Sequence, residues 1–220
     1  MGDGRGGRGV AGRTIDRELL ERWCDGDKRA GSELIKRHYA SVFRFFRSKR
    51  GDWAEDLAQR TFSLCVRQRD SFRRESSFRS FLFGIARNVL FHELRRRSRR
   101  RDLDFTTLSS IDMGLDASGI MVQRAEQRLL LQGLRSLPLE DQILLEMYRW
   151  EGLTASELSE VLEISVAAVR SRLRHAKERL RTLVLSLVDN PQLRESISGG
   201  FEDWVRSIRA AIDGADGGEA

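Results

Sequence analysis

Two cysteines are the only thiols in this 220-residue chain, and it has just three histidines. Cys24 and Cys65 lie far apart, no CxxC occurs, and His38, His92 and His175 are scattered. That excludes metal-site spacing and a disulfide framework, and both cysteines read as ordinary buried or half-buried thiols. No apolar run approaches the ~20 residues of a membrane span. The leading MGDGRGGRGVAGR has no apolar core, so it does not read as a secretory signal, and the cytoplasm is the expected compartment. No stretch alternates as a strand, and no internal repeat is evident. Carboxylates in the first half are scattered: Asp52, Glu55 and Asp56 sit together, but serve as a helix cap and a contact patch. No nucleophile with supporting groups and no clustered metal-binding acids are found. Neither an enzyme nor a cofactor or metal site is therefore expected.

The charge and the arginines carry the information. Net charge is +6, unevenly placed. From Phe72 to Arg101 there are ten arginines against Glu75 and Glu93, whereas from Thr182 onward there are seven acids against three arginines. This asymmetry points to a polyanion-binding front with an acidic appendage. The segment TASELSEVLEISVAAVRSRLRHAKERL, starting at Thr154, reads as two short helices joined by a tight turn. Thr154 and Glu157 form a capping box, Leu158 and Leu162 give the first helix its apolar face, and Ser165 caps the second. Val169, Leu173, Ala176 and Leu180 repeat at helical spacing. At about 100° per residue the opposite face carries Ala167, Ser171, Arg174, His175 and Glu178, with Arg170, Arg172 and Lys177 on the flanks. Small residues at the start of a helix, then arginines along it, suit a major groove. The unit is a helix-turn-helix, and DNA is its first expected partner.

The fold class is all-α. Residues 1–13 read as a disordered Gly/Arg-rich leader. Helices are expected at Ile15–Cys24, Lys28–Lys49, with Leu34, Ile35, Tyr39, Val42, Phe43 and Phe46 inward, Trp53–Arg69, opened by an Asp52/Glu55 capping box, and Phe78–Arg99. The third buries Leu57, Phe62, Leu64 and Val66 in some combination. These four form one helical domain over 14–101. Residues 102–121 change character, with four aspartates and no lysine or arginine up to Ile120, and read as a linker. A second helical domain, 122–184, holds helices at about 122–136, 139–151, 154–162 and 166–187, with Pro138 starting the second of them. The segment 185–220 reads as a helical acidic extension, with an apolar stripe on Phe201, Trp204, Val205, Ile208 and Ile212.

The cluster RRRSRRR (95–101) ends a helix whose earlier turns carry Arg79, Arg87 and Asn88, with Phe72, Phe78 and Phe81 nearby. Cations track phosphates, while aromatics and amides hold unstacked bases, so the composition suits single-stranded or melted DNA as well as duplex. Phe81 and Phe83 read as core.

The segments EDLAQRTF (55–62), SSFRSFLFGIARNVLFHELRRRSRR (76–100), LRSLPLEDQILLEMYRWEGLTASELSEVL (134–162) and ISVAAVRSRLRHAKERL (164–180) resemble, in order and spacing, a bacterial sigma factor of the extracytoplasmic-function (ECF) group of the sigma-70 family. The resemblance covers about residues 15–184. It implies a protein that binds core RNA polymerase, through the β′ clamp helices and the β flap, and directs it to promoter DNA. The first domain corresponds to region 2, with Asp56, Gln59, Arg60 and Phe62 implied at the polymerase contact. Capture of the melted −10 element is implied for Ser71, Phe72, Arg73, Arg74, Ser77, Phe78, Arg79, Arg87, Asn88, Arg95 and Arg96. The second domain corresponds to region 4, with Ser165, Ala167, Arg170, Ser171, Arg172, Arg174 and His175 implied at the −35 element. The resemblance also implies an anti-sigma factor as a possible partner, and no membrane. Arg60, Phe81, His92 and Glu163 depart from the family pattern, where glutamate, tryptophan, aspartate and glycine respectively are common. The acidic extension beyond residue 185 lies outside the two-domain core; it either packs for stability or docks on a basic surface to tune activity.

Two other functions compete. A conventional helix-turn-helix regulator would bind duplex DNA without polymerase, yet the first domain is itself arginine-rich and lacks a sensor signature. A recombinase or nuclease would nick supercoiled DNA with magnesium.

Overall fold

The computed structural model describes residues 6–49, 51–69, 72, 77–97 and 125–216, all helix and connection with no strand among them. The first domain runs α1 (Gly6–Cys24), α2 (Lys28–Arg47), a 3-10 turn (Gly51–Trp53), α3 (Ala54–Gln68) and α4 (Phe78–Arg97). The second runs α5 (Ala125–Arg135), α6 (Leu139–Arg149), α7 (Ala155–Leu162), α8 (Val166–Ser186) and α9 (Pro191–Asp216). The linker assigned to 102–121 lies outside the described residues.

Local chemistry sets the boundaries. The Asp27 carboxylate accepts from the backbone N–H of Arg29 and Ala30, capping α2. Gly26 makes the turn before it at φ 102°, a conformation that favours glycine. α1 starts at Gly6 instead of Ile15, so the segment expected as a disordered leader is helical from that residue. Extending a helix that already packs costs far less than nucleating one. The 3-10 turn leads straight into α3, whose N-cap is Trp53 instead of the expected Asp52, with no cap bond from the Trp53 side chain. α6 starts at Leu139 as expected, with Pro138 as its N-cap.

Leu34, Val42 and Phe46 of α2 are buried as expected and Ile35 and Phe43 pack partly buried against the core, while His38 and Phe45 take inward positions that were not expected. His38 takes an inward position because α1 supplies a partner: its Nε2 lies 2.8 Å from Asp16 Oδ2, and Arg37 binds the other carboxylate oxygen at 3.0 Å. Burial would raise the Asp16 carboxyl, but those two partners outweigh it and hold it below the usual range. Tyr39 instead faces out at 38% exposure, its ring stacked on Phe43 and Phe62. In α3, Leu57 and Phe62 are buried while Val66 is exposed. α1 reaches α2 closely at Gly31, where an added Cβ would stand 2.4 Å from the Trp23 ring. Cys65 is buried, which pushes its thiol up to about 12, and Cys24 is half-buried.

The two domains pack on each other, chiefly α4 against α7, and one apolar cluster runs through both. At the seam Lys49, wholly enclosed, donates to the Phe45 carbonyl at 2.8 Å and the Ser48 hydroxyl at 2.9 Å and pairs with Glu146 of α6. Ser48 and Gln142 donate to the same carboxylate, so its lone pairs are shared among three donors.

Candidate nucleic-acid interface

The helix-turn-helix assembles as its residues dictate. The Thr154 hydroxyl accepts from the Glu157 N–H at 3.2 Å, and the Glu157 carboxylate accepts from the Thr154 N–H at 2.7 Å, closing the capping box. Glu163 takes the left-handed turn at φ 56°, ψ 39°, without glycine's freedom. Ser165 then caps α8, its hydroxyl accepting from the Ala168 N–H at 3.1 Å. Val169, Leu173, Ala176, Leu180 and Val184 are buried against α5, α6 and α7. That anchoring turns Ser165, Ala167, Arg170, Arg172, Arg174 and His175 to solvent, with Ser171 half-buried beside them. Every residue of the set expected on the reading face is therefore at least partly accessible, with Arg170 and Arg172 on opposite flanks of the helix.

The set expected at a melted strand is divided. Ser71, Arg73 and Arg74 lie outside the described residues. Phe78 is buried at 3% exposure with its ring against His38, so it belongs to the core, not to a base platform. Phe72 is half-buried and meets Phe81 edge to face at 5.1 Å. The Ser77 hydroxyl accepts from the Ser80 N–H, capping α4. Asn88, Arg95 and Arg96 are exposed. Arg79 and Arg87 are half-buried, and each meets a carboxylate of the second domain: Arg79 with Glu151 at 3.1 Å and Arg87 with Glu140 at 3.2 Å. Burial pulls the Arg87 guanidinium down, against the pull of Glu140. The other oxygen of Glu140 binds Arg172 of the recognition helix at 3.3 Å. A single carboxylate thus ties together one cation expected at each promoter element.

The exposed end of α4 is organised by a buried acid. Glu93, at 3% exposure, accepts from Arg96 at 2.9 and 2.7 Å and from Arg97 at 2.5 Å, and Arg60 lies 3.5 Å away. The Arg96 bonds first, with those of Arg97 and against the cost of burial, hold its carboxyl at about 2. Arg97 also lies over the Trp53 ring at 3.7 Å. Asp56, Gln59 and Arg60 form an exposed patch on α3, but Phe62 is buried and cannot belong to it.

Sequence reasoning missed the fasteners Lys49, Glu140, Glu146 and Glu151. For Glu146 a signal existed: it falls with Gln142 on the Leu139–Ile143 stripe of α6, and polar groups on an apolar stripe mark a paired, buried site. No group of three or more His, Cys, Asp or Glu that could hold a metal ion occurs among the described residues.

These features define a two-domain helical protein that presents a helix-turn-helix in its second domain and arginine-rich surface in its first. Residues 34–100 match the family described as Sigma-70 region 2, and residues 127–180 match Sigma-70, region 4; together they span more than half of the chain. The ECF RNA polymerase sigma-E factor of Haemophilus influenzae is 26% identical over 81% of this chain and all of its own length. That of Escherichia coli (strain K12) is 27% identical over 79% of this chain and 96% of its own. In fold the chain is similar to CnrH, solved in complex with the cytosolic domain of CnrY, with a TM-score of 0.58 and 23% identity over 80% of this chain and 99% of the other. It is likewise similar to the sigma factor RpoE solved with the anti-sigma factor NepR from Bartonella quintana, at a TM-score of 0.55 and 20% identity over 72% of this chain and 98% of that one. The chain belongs to the sigma-70 family, in its extracytoplasmic-function group, and is a sigma factor serving transcription initiation.

Proposed function

We propose that the chain binds core RNA polymerase through the α3 surface carrying Asp56, Gln59 and Arg60. It reads the −35 element with Ser165, Ala167, Arg170, Ser171, Arg172, Arg174 and His175, and holds the melted −10 strand with Phe72, Ser77, Arg79, Arg87, Asn88, Arg95 and Arg96. The observation that carries this reading is the single exposed face of α8, framed by a complete helix-turn-helix, in a chain whose other half matches sigma region 2. Arginines on that face contact base edges and phosphates together, which gives both register and affinity. Ser71, Arg73 and Arg74 complete the −10 set on sequence grounds. Residues 102–121 act as the tether between the two reading domains.

Arg79, Arg87 and Arg172 are engaged by Glu151 and Glu140 where the domains meet. Promoter binding therefore requires the domains to part and exchange these carboxylates for phosphates. An anti-sigma partner, as in the solved RpoE–NepR complex, would act on the same equilibrium by favouring a polymerase-incompetent arrangement. The chain performs no catalysis of its own. Its action is in the cytoplasm, consistent with the lack, among the described residues, of a helix long and apolar enough to cross a membrane.

Run-off transcription on mixed genomic promoters, with core polymerase alone and with core plus this protein, tests the reading. New, discrete transcripts are expected. Core polymerase that neither co-elutes with the protein nor gains transcripts would leave a plain DNA-binding regulator in its place.

A further inference from the structure

α8 carries a second ordered row besides its buried stripe. Arg170, Arg174, Lys177 and Arg181 follow at spacings of four, three and four, so they line one side of the helix. That side is not open along its whole length. The chain leaves α8 after Ser186, starts α9 with the Asn190 carboxamide oxygen accepting from the Gln192 and Leu193 N–H groups, and runs back along α8. α9 breaks at Gly200, and the break places Ser198–Asp203 across a cleft of about 690 Å³ from the cationic row. Two buried apolar side chains, Ile197 and Val205, anchor the segment on either side of the break.

The polar contacts across the cleft all have the same sense. Glu202 pairs with Arg149 and lies 3.4 Å from Lys177. Arg181 donates to the Ser198 carbonyl at 2.9 Å and hydroxyl at 3.3 Å, while its buried Nε finds no acceptor. The lower half of the row, Lys177 and Arg181, is thus half-buried and held by an acid and a carbonyl, whereas Arg170 and Arg174 remain exposed. The region 4 match ends at residue 180, so this strap lies outside the matched domain.

We propose that Ser198–Asp203 is an intramolecular occupant of the phosphate-facing side of the recognition helix, which duplex DNA must displace to engage the full cationic row. The inference rests on the reading that α8 contacts DNA. A carboxylate and a carbonyl offer these cations the ligand chemistry of a phosphate backbone, at an effective concentration set by a short tether. Occupied by the strap, the row presents two cations to DNA; released, it presents four, and both affinity and its salt dependence rise. Ile197 and Val205 lie outside the ion pairs, so the strap can loosen at Glu202 without loss of its apolar anchors.

The test is fluorescence-anisotropy titration of a labelled random-sequence duplex with the full chain over a series of salt concentrations. Glu202→Gln removes the charge and keeps the shape. It should bind duplex about three- to ten-fold more tightly at low salt, with a steeper salt slope and an unchanged melting temperature. The gain should vanish when Lys177→Gln is added, because the α8 cation that Glu202 holds is then gone, Arg149 lying on α6 outside the row. Arg174→Ala, which touches no strap residue by an ion pair, should weaken duplex binding. If Arg174→Ala weakens binding but Glu202→Gln leaves it at the native level, the strap proposal is overturned and the DNA reading of α8 stands. If Arg170→Ala and Arg174→Ala both bind as the native chain does, the reading beneath it falls, and the strap with it.

Discussion

Glu146→Ala is the sharpest perturbation of this fold. Its carboxylate is the counter-charge for Lys49, which has no exposed surface, and it also accepts from Ser48 and Gln142. Removing it strands an ammonium left with one carbonyl, one hydroxyl, the Phe45 ring and the more distant charge of Glu151. An unpaired buried charge costs about 3–5 kcal/mol, far more than the roughly 1 kcal/mol of a surface pair. Two routes relieve that cost. The amine can shed its proton, towards which burial already pushes it, or the domains can part and hydrate it. The second route caps the loss at the free energy of the interface itself. Glu146→Ala should therefore lower the urea-unfolding free energy by about 2–4 kcal/mol, or else enlarge the radius of gyration in small-angle scattering as the domains separate. Lys49→Met combined with Glu146→Leu should recover most of the loss, since an apolar pair of similar volume replaces a buried ion pair at little cost or with gain. A single variant with native stability and native dimensions would show that the pair carries no energy, and would sink the claim that it fastens the domains.

Two further outcomes follow from groups already described. Glu93, whose carboxyl ordinarily titrates near 4.5, is held at about 2. The folded chain then binds fewer protons than the unfolded one across that window, so this site's stabilisation is complete above 4.5 and is lost as pH falls towards 2. Glu93→Gln should cost about 1–2 kcal/mol at neutral pH, after discounting for half-exposed arginines, and should flatten the acid limb of a pH–stability curve; an unaltered limb would count against the pairing. Glu163→Gly relieves a left-handed turn that costs a side-chain-bearing residue about 1 kcal/mol, partly offset by glycine's extra unfolded-state entropy. A gain of about 0.5 kcal/mol in thermal melts is expected, and a clear loss would show that the Glu163 side chain stabilises the turn.

Much of the helix-turn-helix was legible because its signals are local. A capping box, a serine cap and an i, i+3/i+4 apolar stripe concern residues within a few positions of each other, and the structure shows each of them. The same logic put the N-cap of α3 one residue early, at Asp52 instead of Trp53, and failed at Tyr39, whose ring stacks on Phe43 and Phe62 and stays outside. Phe78 was misplaced for a different reason, as was Phe62 where the resemblance put it at the polymerase contact, although periodicity already counted it among the buried residues of α3. Aromatics in a DNA- or partner-binding segment suit a platform and a core equally well, and only the packing of α2 against α3 and α4 put them inside.

The sequence by itself determined the helices, the division into two domains with arginine concentrated in the first and along α8, and the family. Periodicity, caps and ordered motifs are properties of the chain read along its length. What only the tertiary structure decided is which charges meet. His38 is satisfied by Asp16, Lys49 by Glu146, Arg87 and Arg172 by one Glu140, and Lys177 by Glu202. The partners in these pairs stand many residues apart, and no pattern along the chain connects them. Desolvation in the packed state makes the enclosed pairings, His38 with Asp16 and Lys49 with Glu146, obligatory, because a buried polar group must find its partner wherever folding brings one, whereas Arg172–Glu140 and Lys177–Glu202 stay partly exposed and exchangeable.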